Sequence, residues 1–167
     1  MTRMKGRVDI SRADILRGLT IYSSGDSIAA LLLGQFSWHR LVGMAFVGAT
    51  VYAVEIPNVF RWIDRVAGEP GLITSVKRTA LALLYFNPVW IARHLFFIRL
   101  FSGDWHDVGW HLLRLGLLAF LANIPISLVA NYLIQNAIPL RWRFLASAIF
   151  SALMAVYYAV SEVLFGG

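Results

Sequence analysis

The sequence predicts an all-α fold, a polytopic bundle of transmembrane helices. Composition is the first observation: 59% of the residues are hydrophobic and only 14% are charged, whereas soluble domains carry about 25% charged residues. The second is a series of apolar stretches, each long enough to cross a hydrocarbon core of about 30 Å as a helix. The third is the placement of most of the 15 lysines and arginines at alternate ends of these stretches. Because lipid offers no hydrogen-bond partners, such spans are expected to be helical.

Five stretches are predicted to span the membrane, and they are residues 15–35, 41–63, 79–101, 108–135 and 144–165. The connection between the first two is very short, so these helices are expected to form an antiparallel hairpin. The fourth stretch is longer than a span requires and contains Pro125, which predicts a kink or a partial unwinding toward Pro139. A four-span arrangement, with one stretch lying in the membrane interface, is the alternative.

Basic residues give the predicted orientation. Arg3, Lys5 and Arg7 precede the first stretch, and further basic residues cluster in the connection after the second stretch and in the one before the last. Loops rich in lysine and arginine stay in the cytoplasm, so the N-terminus is predicted to be cytoplasmic. We therefore predict a basic cytoplasmic arm at residues 1–14 and a single transmembrane domain at residues 15–167.

The net charge of +6 raises the question of nucleic-acid binding. The positive charge is divided among the membrane-flanking ends and forms no continuous stripe, which argues against a nucleic-acid partner. Attraction to anionic lipid headgroups explains the charge better. Arginine greatly outnumbers lysine, as in many GC-rich bacterial genomes. A bacterial inner membrane is therefore predicted, with an organelle membrane as the alternative.

Signatures of catalysis and of metal binding are missing from the sequence. The chain contains no cysteine, and its histidines form no zinc-binding pattern such as H-E-x-x-H. No nucleophile elbow, phosphate-binding loop or dinucleotide fingerprint occurs. His94 lies within a predicted span, where a neutral imidazole can ligate a haem or pigment metal, although a lone histidine beside Arg93 is more often only hydrogen-bonded. We predict a non-enzyme without metal or cofactor.

Ionisable groups inside the spans are the strongest functional candidates, because charge in hydrocarbon is costly. Asp26 is expected roughly 17 Å along the first helix and Arg93 roughly 21 Å along the third, so the two are predicted to form an ion pair inside the bundle. Such a pair either serves packing alone or belongs to a polar pathway. Glu55 and Asn131 lie at similar depth near the inner side, and they are expected to share a polar patch.

Asparagine beside proline marks the middle of two further helices. Asn87 immediately precedes a proline, and Asn123 lies two residues before another. A proline in a membrane helix frees a carbonyl group, which a neighbouring asparagine can satisfy. The two asparagines are therefore either structural features of kinked helices or, together with Asp26 and Glu55, parts of a continuous polar path.

A series of short motifs runs along most of the chain. Its members are Gly25–Asp26, Arg40, Gly48, Phe60, Ile63–Asp64–Arg65, Pro88, Gly103, Trp105, Pro125, Asn131–Tyr132 and Pro139–Leu140–Arg141–Trp142–Arg143. Their order resembles the Mpv/PMP-type family of small peroxisomal and inner mitochondrial membrane proteins, which also has bacterial relatives. Pro57 departs from the pattern, because it stands where that family has a histidine. A weaker resemblance, to the bacterial alanine exporter family, rests on Arg40–Leu41–Val42, Pro88–Val89–Trp90 and Gly103–Asp104–Trp105–His106.

Two functions are compatible with these observations. The Mpv-type resemblance implies a channel or exporter for small solutes, in which Asp26 is the first residue to assign to the pathway. The alternative is a non-catalytic accessory or assembly subunit of a respiratory or photosynthetic membrane complex, which a small chain with stripes of small residues also suits. The expected partners are membrane lipids together with other membrane subunits or further copies of the chain.

Overall fold

The computed structural model describes residues 10–165. Seven α-helices make up most of this range: α1 Arg12–Leu32, α2 Trp38–Val47, α3 Ala53–Ala67, α4 Leu72–Phe86, α5 Pro88–Ser102, α6 His111–Asn136 and α7 Leu140–Phe165. A single π-helical segment, Gly48–Tyr52, joins α2 to α3 without a break, and a short 3₁₀ turn, Trp105–Asp107, precedes α6. The predicted all-α, polytopic bundle is confirmed.

Four helical segments are long and apolar enough to cross a membrane, namely Trp38–Ala67, Leu72–Ser102, His111–Asn136 and Leu140–Tyr157. Helix α1 is not among them, because it combines Arg12, Asp14, Arg17 and Asp26 within its length. The count of five spans and the cytoplasmic N-terminus stay predictions. Residues 1–9 of the predicted basic arm lie outside the described residues, and α1 already begins within the remainder of that arm.

The helices alternate in direction between two ends of the bundle. We call the end with the connections 33–37 and 103–110 the distal end, and the end with the connections 68–71 and 137–139 the basal end. Helix α1 packs most extensively against α7 and also against α2 and the π segment. A Cβ atom at Gly18 would overlap the carbonyl group of Gly48, and one at Gly25 would overlap Ala152. Small residues therefore let these helices approach backbone to backbone, as is common in membranes.

The two prolines expected to distort helices behave differently. Asn87 has φ −108° and ψ −92°, so the chain breaks there and restarts as α5 with proline at its first position. Helix α6, in contrast, runs continuously through Pro125. The predicted unwinding toward Pro139 is therefore wrong. Helix α6 packs against both α4 and α5.

A buried apolar core fills the basal half of the bundle. Its largest members include Phe60 and Ile63 of α3, Ile134 of α6 and Phe144 of α7. All four side chains are buried. The candidate site begins at the distal end and extends down to this core.

Candidate functional site

A cavity of about 340 Å³ lies inside the bundle, between α1, α5, α6 and α7. At the distal end its lining includes Arg99 and Asp104, both of which are exposed. At the other end the lining stops at Asn131 and Ile134. Because Ile134 belongs to the buried apolar core, the cavity is a cleft that ends on that core in the basal half of the bundle.

One wall of the cavity is polar. Helix α6 contributes Asn123, Ser127 and Asn131, which recur every fourth residue and so share one face of the helix. Asn87, at the break between α4 and α5, lines the cavity as well. Three predicted site residues thus line one space: Asn123 and Asn131 come from α6, and Asn87 comes from the break between α4 and α5.

Much of the remaining lining is apolar, and several of its residues are aromatic. Trp90 and Ile91 of α5 contribute to it, together with Phe86, Phe150 and Met154. An apolar pocket with a few polar groups on one side is the usual form of a small-molecule site.

The asparagines of the polar wall each turn their amide nitrogen toward their own helix. Nδ2 of Asn87 donates to the carbonyl oxygen of Leu83 at 2.7 Å, and Nδ2 of Asn131 donates to that of Ser127 at 2.8 Å. Asn123 makes the same bond one turn back, at 2.8 Å. Backbone bonding of this kind occupies one donor of each side chain. The amide oxygens of Asn87 and Asn131 accept no hydrogen bond from any described residue, and they are the acceptors that the cavity offers.

Asp26 and Arg40 form a bidentate ion pair where α1 and α2 meet near the distal end. Nε of Arg40 donates to Oδ2 of Asp26 at 2.8 Å, and Nη2 donates to Oδ1 at 2.6 Å. Both residues line the cavity, although their side chains are only 3% and 7% exposed. The predicted Asp26–Arg93 pair is therefore wrong. The connection 33–37 is so short that it places Arg40, the third residue of α2, beside Asp26.

Arg93 of α5 pairs instead with Glu55 of α3. Nη1 of Arg93 lies 2.8 Å from Oε1 of Glu55 and 2.7 Å from Oε2, and the hydroxyl of Tyr85 donates to the same carboxylate. The two side chains are 31% and 26% exposed, and neither lines the cavity. The predicted patch of Glu55 with Asn131 is also wrong, because Glu55 faces α4 and α5 while Asn131 faces the cavity.

His94 lines the cavity and contacts two aromatic side chains. Its Nδ1 is 3.0 Å from the hydroxyl of Tyr52, and its ring is stacked on Trp90 with centroids 5.0 Å apart. Among the side chains that the structure describes, no group of three or more histidines and carboxylates is arranged to hold a metal ion. The geometry gives His94 a hydrogen-bonded, stacked position on the cavity wall.

Gln135 is a candidate that the sequence reasoning missed. It lies one turn beyond Asn131 on the face of α6 that already carries Asn123 and Ser127, about 6 Å further toward the basal end. The side chain is 0% exposed, and neither its amide nitrogen nor its amide oxygen has a hydrogen-bond partner among the described residues. The signal for Gln135 in the sequence is the recurrence of a polar residue at every fourth position, from Asn123 to Gln135, within an apolar stretch.

Arg40 was missed as well, in its role as the partner of Asp26. The signal was the brevity of the connection between α1 and α2, which leaves Asp26 within reach of the first turn of α2. The estimated depths of Asp26 and Arg93 in the membrane favoured Arg93 as the partner. Depth does not indicate which face of a helix a side chain occupies, so it could not distinguish Arg93 from Arg40.

Comparison with known proteins finds one informative similarity. The chain is 29% identical over 97 residues to the mitochondrial inner membrane protein Mpv17 of Caenorhabditis elegans, and the matched segment covers 57% of this chain and 54% of that protein. The match thus spans about half the length of the relative. No protein-family model matches the chain, and no solved structure matches it. Together with the four apolar helices, the similarity identifies an integral membrane protein.

Proposed function

We propose that this chain is a member of the Mpv-type family and that it passes small solutes across a membrane through the cavity between α1, α5, α6 and α7. The proposal includes a location in a bacterial inner membrane and the absence of catalysis. The single observation that carries it is the cavity itself, which is lined by Asn87, Asn123, Ser127 and Asn131 inside a membrane protein.

Polar side chains within a membrane are costly unless they are paired or serve a function. A bundle selected only for packing has no need to surround an interior space with asparagine and serine. The amide oxygens of Asn87 and Asn131 do not complete a hydrogen bond within the described part of the chain, so they do not serve as interhelical links. Their arrangement suits transient contact with a solute or with water.

The path is open at one end and closed at the other. Exposed Arg99 and Asp104 border the distal entrance, whereas the basal end is sealed by Ile134 and Phe144 of the apolar core. Passage therefore requires the basal seal to open. Gln135 lies just beyond the cavity on the same face of α6, and its unpaired amide is the next polar group that a solute would reach once the seal parts.

A flux assay with a cavity-filling variant tests the proposal. Ser127→Phe places a ring in the cavity, and Leu121→Phe is the matched control because Leu121 lies on the same helix with its side chain exposed. Both variants are purified, checked for a single folded species in detergent, and reconstituted into liposomes for solute-flux measurements. We expect Ser127→Phe to lower the flux at least tenfold and Leu121→Phe to leave it unchanged. Equal flux through both folded variants would contradict passage through this cavity.

One observation favours the second candidate, an accessory or assembly subunit. Glu55 and Arg93 lie near the middle of their membrane-spanning segments and are partly exposed on the outside of the bundle. Charge at that depth is costly in lipid, so a partner subunit covering the pair would stabilise it.

Isolation from the native membrane in a mild detergent distinguishes the accessory role from solute passage. Stoichiometric recovery with other subunits favours the accessory role, and recovery alone or as a homo-oligomer favours passage.

A further inference from the structure

We infer that the cavity binds an uncharged, hydroxyl-rich solute of on the order of six carbons and that it discriminates against ions of the same size. This inference rests on the proposed function, since it names the class of solute that would pass. Three features of the cavity carry it: the balance of its charges, the kind of hydrogen-bonding groups on its polar wall, and the aromatic side chains in the rest of its lining.

The charges that line the cavity compensate one another. Asp26 is neutralised by Arg40 at 2.6 Å, and Arg99 at the entrance lies 3.4 Å from Asp104 and 3.3 Å from Asp107. No carboxylate or guanidinium among the described lining residues is left to balance a charged solute. A charge moved into such a site would lose its hydration without gaining a counter-charge, which is strongly unfavourable.

The polar wall offers both acceptors and donors of hydrogen bonds. Each asparagine has given one N–H to its own helix, and the amide oxygens of Asn87 and Asn131 accept nothing from the described residues. Ser127 adds a buried hydroxyl between them. Because hydroxyl groups donate to amide oxygens and also accept from the remaining N–H, a polyol matches this wall.

The aromatic residues in the lining also suit a polyol. Trp90, Phe86 and Phe150 all line the cavity. The C–H face of a polyol can pack on such rings while its hydroxyls reach the asparagines. A cavity of about 340 Å³ is at the small end of the range for ligand pockets, which is about 300–1,000 Å³. Its size therefore fits a compact solute and not a nucleotide or a lipid.

A set of three compounds of equal length tests the inference. Sorbitol is uncharged, 1-amino-1-deoxysorbitol carries an ammonium group at pH 7, and gluconate carries a carboxylate. Flux of each compound into liposomes containing the protein is measured at zero membrane potential. Binding is measured separately, from tryptophan fluorescence in detergent, with Trp90→Phe as the control that should remove the signal from the cavity.

Passage of sorbitol at least tenfold faster than both ions, with fluorescence changes for sorbitol alone, is the expected result. Equal flux of all three compounds would overturn the inferred solute class and leave passage intact. Absence of flux together with Trp90-dependent binding of sorbitol would overturn passage and support the solute class. Absence of both flux and binding would overturn the two proposals together.

Discussion

Arg40 donates two hydrogen bonds to Asp26, and through them the second helix of the bundle is attached to the first. The two side chains are almost fully buried, and each depends on the other for compensation of its charge. The same pair forms part of the cavity wall. The pair thus contributes both to the attachment of α2 to α1 and to the electrical neutrality of the cavity lining.

Removing one partner of this pair should destabilise the protein more than removing both. A lone buried charge is expected to cost about 3–5 kcal/mol, whereas a pair replaced by apolar residues of similar size is often close to neutral. We therefore expect Asp26→Leu and Arg40→Met each to lower the unfolding temperature more than the double variant does. Thermal unfolding in detergent measures this difference. A double variant that is the least stable of the three would contradict the isolated pairing of Asp26 with Arg40.

Arg93 should contribute to stability without contributing to passage. It binds Glu55 outside the cavity, so Arg93→Met is expected to weaken the fold and to leave the flux per folded protein unchanged. Flux in liposomes is compared with unfolding temperature for this variant and for Ser127→Phe, whose expected pattern is the reverse. Loss of flux in Arg93→Met at full stability would place Arg93 on the solute path and refute this assignment.

Replacement of Gln135 should change stability and flux in opposite directions. Its buried amide has no described hydrogen-bond partner, and leaving such a group unsatisfied costs about 1–3 kcal/mol. Gln135→Leu is therefore expected to raise stability by an amount of that order while lowering solute flux. Chemical denaturation and the liposome assay measure the two effects. A less stable variant with normal flux would mean that the amide is satisfied and lies off the path.

The close approach of α1 to α7 predicts a sharp contrast between two glycines. A Cβ at Gly25 would overlap Ala152, whereas one at Gly71 would meet nothing within 4 Å. Gly25→Ala should consequently destabilise the bundle by about 1–3 kcal/mol through overpacking, and Gly71→Ala should have little effect. Unfolding temperatures of the two variants test the contrast. Equal stability would mean that α1 and α7 are further apart than the structure places them.

The fold was predictable from the sequence because a lipid environment restricts the secondary structure that the chain can adopt. An apolar composition and long stretches with few charges leave helices as the available structure in lipid, and the observed helices cover most of the predicted stretches. Helix α1 is the exception, since its charged residues keep it outside the segments that are apolar enough to span. The break at Asn87 was also indicated, because the residue before proline is disfavoured in a helix.

The site was predictable in part. Asp26, Asn87, Asn123, Asn131 and His94 all line the cavity, because polar residues in the middle of apolar helices turn toward a shared interior. The ion pairs were not predictable from the depth of each residue in the membrane, since helix packing determines which arginine contacts Asp26 and which contacts Glu55. Arg40 of α2 and Arg93 of α5 therefore bind different carboxylates, and the sequence carries no direct record of that geometry.

Accessibility of the cavity to water is the claim on which the proposals depend most directly. The chain contains no cysteine, so a single cysteine introduced by Ser127→Cys reports on its own surroundings. In reconstituted liposomes a small, water-soluble methanethiosulfonate reagent should label Ser127→Cys and thereby block solute flux, while Leu121→Cys on the exposed face of α6 should stay unlabelled in lipid. Failure to label Ser127→Cys, or labelling that leaves the flux unchanged, would contradict a solute path through this cavity.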